Sequence, residues 1–376
     1  MRTSYKRNTM GVASMLDRFK VPLEDQVHVS DAELRKTVAA IFEKCNLTPE
    51  DAAIGADVLV TTDLRGVESH GVSNMLRSYV QSYQQGAYNP RPNWRIVRES
   101  PSTATIDGDG GLGVILGPKA MRIAIDKAKT VGVGIVTMYN GRHLGAVGHH
   151  AMLAAQEDMV GMCMTAAQPS VLPTFGAERR LGTNPIAIAA PAKHQPALLF
   201  DVATSAVAGN KIGLAARVGS NLLPGWVADV EGNPIMEETP VLPRGQYMQL
   251  PLGGTREQGS HKGYGLALMV ETLCTMLSGT LPFGLDRDTG YKHFFAAYNI
   301  AAFTDVDTFK DNMDQMLDWL RETKPAPGQE RVLYPGLLEY EEERERREHG
   351  IPLHKEVIEW FGKITSDLGV TPLVTR

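Results

Sequence analysis

The 376-residue chain is poor in cysteine, with only Cys45, Cys163 and Cys274. Three widely spaced thiols with no C-x-x-C pair exclude a zinc ribbon and support no disulfide framework. A reducing compartment fits best. Positive charge is not in excess either. The formal net charge of −5 gives no electrostatic reason to expect nucleic acid or an anionic membrane as partner. A few local cations still suffice for a small anionic substrate. Long apolar runs are missing: "GYGLALMVETLCTML" is interrupted by Glu271 and is too short to span a bilayer. The first residues hold no signal-peptide core. The expectation is a soluble, cytoplasmic protein. Metal ligands are not grouped. His149 and His150 are adjacent and would point about 100° apart on a helix, and no carboxylate lies near them or His143 in sequence, so no metal site is expected.

What is present is ordinary globular material, 43% hydrophobic and 22% charged, enough for one large domain or two to three smaller ones. Residues 1–27, with Arg2, Lys6 and Arg7, read as an arm. Ser30 and Glu33 form a capping box ahead of Leu34, Val38, Ile41, Phe42 and Cys45 at helical spacing. Thr48 and Pro49 open a second helix, and a third begins near Ser69. Beyond "YNPRPNW" the texture changes. "TATID", "GVGIVTMY" and "ALLFDVATS" are strand-like, alternating with helical "GPKAMRIAIDKAKT" and "AVGHHAMLAAQEDM". The last third returns to helix, and its charge run 341–348 reads as a solvated helix face.

"GDGGLG", residues 108–113, matches the G-x-G-x-x-G dinucleotide fingerprint. The fingerprint requires an acidic residue at the end of the next strand to hold the ribose. Here that strand ends in Tyr139 and Asn140, and Pro118 is expected to start the helix late. A plain glycine turn is the expectation.

Four segments concentrate polar groups among glycines. "DLRGVESHGVSNMLRSY" places Ser69 and His70 at a helix start. "NGRHLGAVG" carries His143, then the small residues Gly145 and Ala146 before a helix. Its N-terminus would suit a phosphate, or the segment is a tight strand-to-helix turn. In "LGTNPIAIAAP", Pro185 should push Asn184 towards extended backbone; an Asn-Pro turn is the plainer use. "FDVATS" ends an apolar strand on Asp201, which either caps Thr204 or Ser205 or orients a histidine. "GSHKGYGLALMVE" sets His261 and Lys262 in a glycine-rich loop that suits an anion or simply solvent.

Taken in this order, "SHGV", "NGRHLGAVG", "GTNPIAIAAP", "DVATS", "HKGYGLALMVE" and "YPGLLEYEEERERREHGIPL" resemble the type-2 malate/L-lactate dehydrogenase family, over about residues 30 to 355. The resemblance implies hydride transfer between NAD or NADP and a small 2-oxo or 2-hydroxy acid of the malate, lactate, sulfolactate or ureidoglycolate type; cyclic 2-imino acids are also reduced in this family. It implies an α+β homodimer whose cofactor domain, about 106–299, has a mixed, largely antiparallel sheet rather than a Rossmann fold. Segments 28–105 and 300–376 would make a helical substrate and dimerisation domain. By the same resemblance His70 is the proton donor and acceptor with Ser69 beside it, Asp201 completes a relay, and His143 lies by the nicotinamide as a rival for the proton. Cofactor contacts fall on His143, Leu144, Gly145, Ala146 and Val147, on Thr183 and Asn184, and on Asp201, Thr204 and Ser205. A last set is His261, Lys262, Gly263, Tyr264 and Gly265. One position departs from the family. The arginine that clamps the substrate carboxylate four residues after the histidine is Asn74 here, which offers neither charge nor fork. Arg77, one turn on, is the candidate replacement; Thr183 is a further substrate contact. A substrate without the usual carboxylate, or a protein that binds cofactor but has lost catalysis, are the alternatives.

Overall fold

The computed structural model describes residues 17–286 and 290–376; residues 1–16 of the expected arm lie outside them. The chain opens on strand β1 (Gln26–Val29) and three helices, α1 (Asp31–Lys44), α2 (Pro49–Leu64) and α3 (Val72–Gln84). Ser30 and Thr48 cap α1 and α2 by accepting from the amides of Glu33 and Asp51. Helix α3 begins three residues later than the sequence suggests, because its cap is not local. Asp63, on α2, accepts from the Ser73 amide at 3.1 Å and the Ser73 hydroxyl at 2.8 Å. Gly71 is required there, since a Cβ would overlap the Asp63 carboxylate.

The centre is a seven-stranded sheet of β2 (Arg95–Glu99), β3 (Thr103–Asp107), β4 (Val133–Gly141), β5 (Met159–Ala166), β6 (Ile186–Ala190), β7 (Leu198–Val202) and a later strand (Tyr291–Asn299). That last strand inserts between β4 and β5. Only β3 and β4 run parallel; the other neighbours are antiparallel. This is an α+β, non-Rossmann sheet, as the resemblance implied. Helices α4 (Gly113–Val131) and α5 (Val147–Ala155) cover one face, with Met121, Ile125 and Ala151 packed on Val136, Met138 and Phe295. Gly134 and Gly161 let the two helices lie directly on the strands, because a Cβ at either would overlap helix carbonyls.

After β7 come α6 (Gly209–Arg217), the two-residue strands β8 (Val227–Ala228) and β9 (Met248–Gln249), and α7 (Ser260–Val270). Helix α7 runs into a π-helical turn, Glu271–Met276, whose Cys274 joins Val270 and Phe294 on the second face of the sheet. The inserted strand is β10. Helix α8 (Val306–Arg321) packs Met313 and Leu317 against Ala190 and Leu198. Helix α9 (Leu337–His349), strand β11 (Ile351–His354) and α10 (Lys355–Leu368) finish the chain, and β11 pairs with β1. The first and last segments thus share one core, in which Phe42, Leu76 and Tyr79 meet Leu353 and Phe361.

Two local expectations are corrected. Helix α4 starts at Gly113 and contains Pro118, so the proline does not delay it. The preceding glycine turn is nonetheless closed. Its amides at Gly108 and Gly110 donate to the carbonyls of Tyr139 and Asn140, and a Cβ on Gly113 would lie 2.5 Å from the Arg142 carbonyl. The run 341–348 is not wholly solvated: Arg346 is buried and pairs with Glu68 at 2.8 Å. Among the described residues no helix is long and apolar enough to cross a membrane.

Candidate active site

Strand direction gathers the candidate residues. The C-terminal ends of β4, β5 and β7 and the N-terminal ends of β6 and β10 fall on one rim: Gly141 faces Tyr291, Ala166 faces Lys292, and Ile186 faces both Met164 and Val202. The loops bearing His143, Thr183 and Ser205 leave from that rim. The turn between α2 and α3 brings His70 to it.

The rings of His70 and His143 stack, with centroids 5.7 Å apart and planes 12° from parallel. Nδ1 of His143 lies 2.6 Å from the Tyr79 hydroxyl and accepts from the Gly145 amide at 3.3 Å. A backbone amide can only donate, so Nδ1 is an acceptor, Tyr79 donates to it, and the ring proton sits on Nε2. Tyr291 meets the same ring edge-on. His70 is held less rigidly. Its Nδ1 is 2.9 Å from the Ser69 hydroxyl, which can donate or accept by turning. Burial lowers the pKa of His70 to about 4 and that of His143, assisted by its neighbours His70 and His293, to about 3. Both are neutral at pH 7.

Asp201 is not joined to His70. Its carboxylate accepts from the Gly148 amide at 2.7 Å, at the N-terminus of α5. Asp201 is exposed at the end of β7, and desolvation by the atoms around it raises its pKa to about 6 against the pull of the Gly148 amide. A carboxylate therefore already holds the place where the sequence suggested a phosphate, and a second anion there would be repelled.

The substrate candidates separate. Asn74 donates to the Ser69 carbonyl at 3.1 Å and lies 3.5 Å from the Asn210 carbonyl, so it ties the His70 turn to α6. Arg77 is exposed, with its nearest carboxylate Glu356 on α10 at 4.0 Å. Thr183 offers its carbonyl to both the amide and hydroxyl of Thr204.

Several expected cofactor contacts are taken up inside the protein. Asn184 is fully buried with φ +35°, not extended. Its amide accepts from Ala167 and donates to Glu271 at 3.0 Å. Thr204 and Ser205 are buried and bond to backbone carbonyls. Leu144, Ala146 and Val147 are buried in the core, and Gly145 (φ +75°) makes the turn between them. Residues 261–265 lie in the first turns of helix α7, not in a loop; Gly263 packs against Leu252, and Tyr264 is partly buried. His261, Lys262 and Gly265 are exposed, and Arg256 donates to His261 at 3.0 Å.

Tyr79 lies on the buried face of α3, and nothing in the sequence spacing shows that its hydroxyl reaches residue 143. Nor does the spacing single out His293, a buried ring bonded to Thr165. No group of three or more metal-binding side chains occurs among the described residues.

The sequence profile of the malate/L-lactate dehydrogenase family matches residues 29–361. The malate dehydrogenase of Pyrococcus abyssi is 41% identical over 356 residues, covering 93% of this chain and 97% of that protein. The L-sulfolactate dehydrogenase of Methanocaldococcus jannaschii is 37% identical, covering 89% and 96%. The solved malate dehydrogenase of Pyrococcus horikoshii superposes with a TM-score of 0.85 at 38% identity, covering 94% and 99%.

Proposed function

The chain belongs to the malate/L-lactate dehydrogenase family and is an oxidoreductase acting on CH–OH groups; from that premise we propose that it interconverts a small 2-hydroxy acid and its 2-oxo acid, with His70 carrying the proton. The stacked His70–His143 pair carries this reading. A nicotinamide cofactor, NAD or NADP, supplies or takes the hydride when bound. The exposed cations Arg256 and Lys262 beside the uncapped start of α7 would hold its phosphates; the closed turn at 108–113 would not.

The two imidazoles divide the work. With Nδ1 accepting twice, His143 has no free lone pair and presents Nε2–H. It donates to the substrate oxygen and fixes it, as a neutral electrophile. His70 has one partner, a hydroxyl that serves either tautomer. With Nδ1–H on Ser69, Nε2 is a free base that removes the hydroxyl proton as the hydride leaves. In reduction the same atom returns the proton. A pKa of about 4 leaves the base ready at neutral pH. The relay through Asp201 has no part, because that carboxylate bonds to the Gly148 amide and to neither imidazole.

A second copy of the chain is part of the reading. Helix α7 and the turn after it expose Leu268, Met269, Met276 and Leu277, and the edge strand β7 exposes Phe200; a homodimer would cover such a surface.

The test is loss of NADH or NADPH absorbance on a panel of oxaloacetate, pyruvate, sulfopyruvate and a cyclic 2-imino acid. Turnover of a 2-oxo acid is expected. Tight nucleotide binding without turnover of any panel member would instead mark a protein that keeps the cofactor and has lost the chemistry.

A further inference from the structure

Asn74 leaves the site without the guanidinium that would meet a carboxylate, and Arg77 is exposed beside Glu356 of α10. A cation from elsewhere in the chain is in place. Beside Ser69 opens a cavity of about 290 Å³, walled by the turn before α3, by α6 and by α9. Four cations line it. Three are matched: Arg65 with Glu343 at 3.0 Å, Arg346 with Glu68 at 2.8 Å, and Lys20 with Glu342 at 3.2 Å. The fourth, Lys211 on α6, makes no ion pair among the described residues. With Glu343, the partner of Arg65, four carboxylates stand against the four cations, and Lys211 is the cation left outside these pairs.

The surroundings of Lys211 fit a held, waiting charge. Its Nζ lies 5.3 Å from the ring centre of Phe19 and 6.0 Å from that of Trp226, two rings stacked at 5.3 Å. The rings stabilise the ammonium without neutralising it. Burial lowers its pKa, and no carboxylate acts against that shift. Helix α6 is also fixed to the catalytic turn, since Asn74 reaches the carbonyl of Asn210 and Asn210 reaches the sulfur of Met75 at 3.1 Å. The ammonium and His70 are therefore carried on elements braced together.

We propose that Lys211, facing the cavity beside Ser69, binds the anionic head of the substrate, a carboxylate or sulfonate, in place of the arginine missing at position 74. This rests on the 2-hydroxy acid reading above. It also changes what Asn74 does: asparagine at that position ties α6 in place, and the lysine of α6 supplies the charge.

The experiment compares wild type with Lys211→Met and Lys211→Arg. Steady-state constants for the best 2-oxo acid of the panel are read together with NADH and NADPH affinity by fluorescence titration. Methionine keeps the contact with both rings. The expected result is a KM raised ~10–100-fold in Lys211→Met, the range for losing a charge-assisted hydrogen bond. Nucleotide affinity should stay within twofold, and Lys211→Arg should recover most of the KM. An unchanged KM in Lys211→Met overturns the proposal. So does a loss of nucleotide affinity with KM for the acid unchanged, which would put the ammonium on a cofactor phosphate. A wild type that turns over none of the acids fails at the earlier step and removes the functional reading itself.

Discussion

Tyr79 and His143 are joined by a 2.6 Å hydrogen bond between α3 and the loop after β4. It links the helical core to the sheet rim and reinforces the His143 tautomer that the Gly145 amide sets. Tyr79→Phe keeps the ring in its buried place and removes only the hydroxyl. The Gly145 amide still favours the same tautomer, so kcat should fall modestly, roughly 2–10-fold, with KM unchanged. A variant with full kcat would show that the Gly145 amide alone fixes His143.

Asn184 separates structure from binding. Asn184→Ala would leave the Ala167 amide and a Glu271 oxygen without their partner. A loss of about 1–3 kcal/mol in unfolding free energy is expected, read by urea titration, with nucleotide affinity unchanged in the folded protein. Weaker nucleotide binding at unchanged stability would return Asn184 to the cofactor contacts that the sequence assigned it.

Stability should fall in mild acid. Burial lowers His70 and His149 to about 4 and His143, His150 and His293 to about 3. Between the unfolded value near ~6.5 and those folded values the unfolded chain takes protons that the native chain refuses. Each such group therefore removes stability as pH drops. Asp63, raised to about 7, and Asp201, raised to about 6, act in the opposite sense. Five groups against two leave the histidines dominant. The urea midpoint should be lower at pH 5 than at pH 7.5; an equal or higher midpoint at pH 5 would mean that these rings accept protons in the native state.

The sequence carried the local features of the fold further than its long-range ones. Ser30 and Thr48 cap helices where their spacing says they should, because capping acts within one turn. Helix α3 starts later than its local sequence suggests because its cap, Asp63, comes from the preceding helix. The non-Rossmann sheet followed from motif order, and the missing acidic residue after β4 agreed with it. Burial decided what could not be read. Asn184, Thr204 and Ser205 lie in loops at the sheet rim, yet their side chains face inward, and Asp201 bonds to a helix end rather than to a histidine. Tyr79 and Arg346 make their bonds across long separations in the chain, where composition and periodicity are silent.

The claim that His70 carries the proton is tested most directly by the pH dependence of kcat/KM for oxidation of the preferred 2-hydroxy acid, in wild type, His70→Ala and His143→Ala, from pH 4 to pH 9. This quantity reports the free enzyme's essential base. Wild type should be flat from pH 9 to about 6 and fall towards pH 4, following the lowered pKa of His70. His70→Ala should lose ~10²–10⁴-fold together with that acid limb, whereas His143→Ala should be slower but keep it. If the limb survives in His70→Ala and disappears in His143→Ala, the base is His143 and the assignment is wrong.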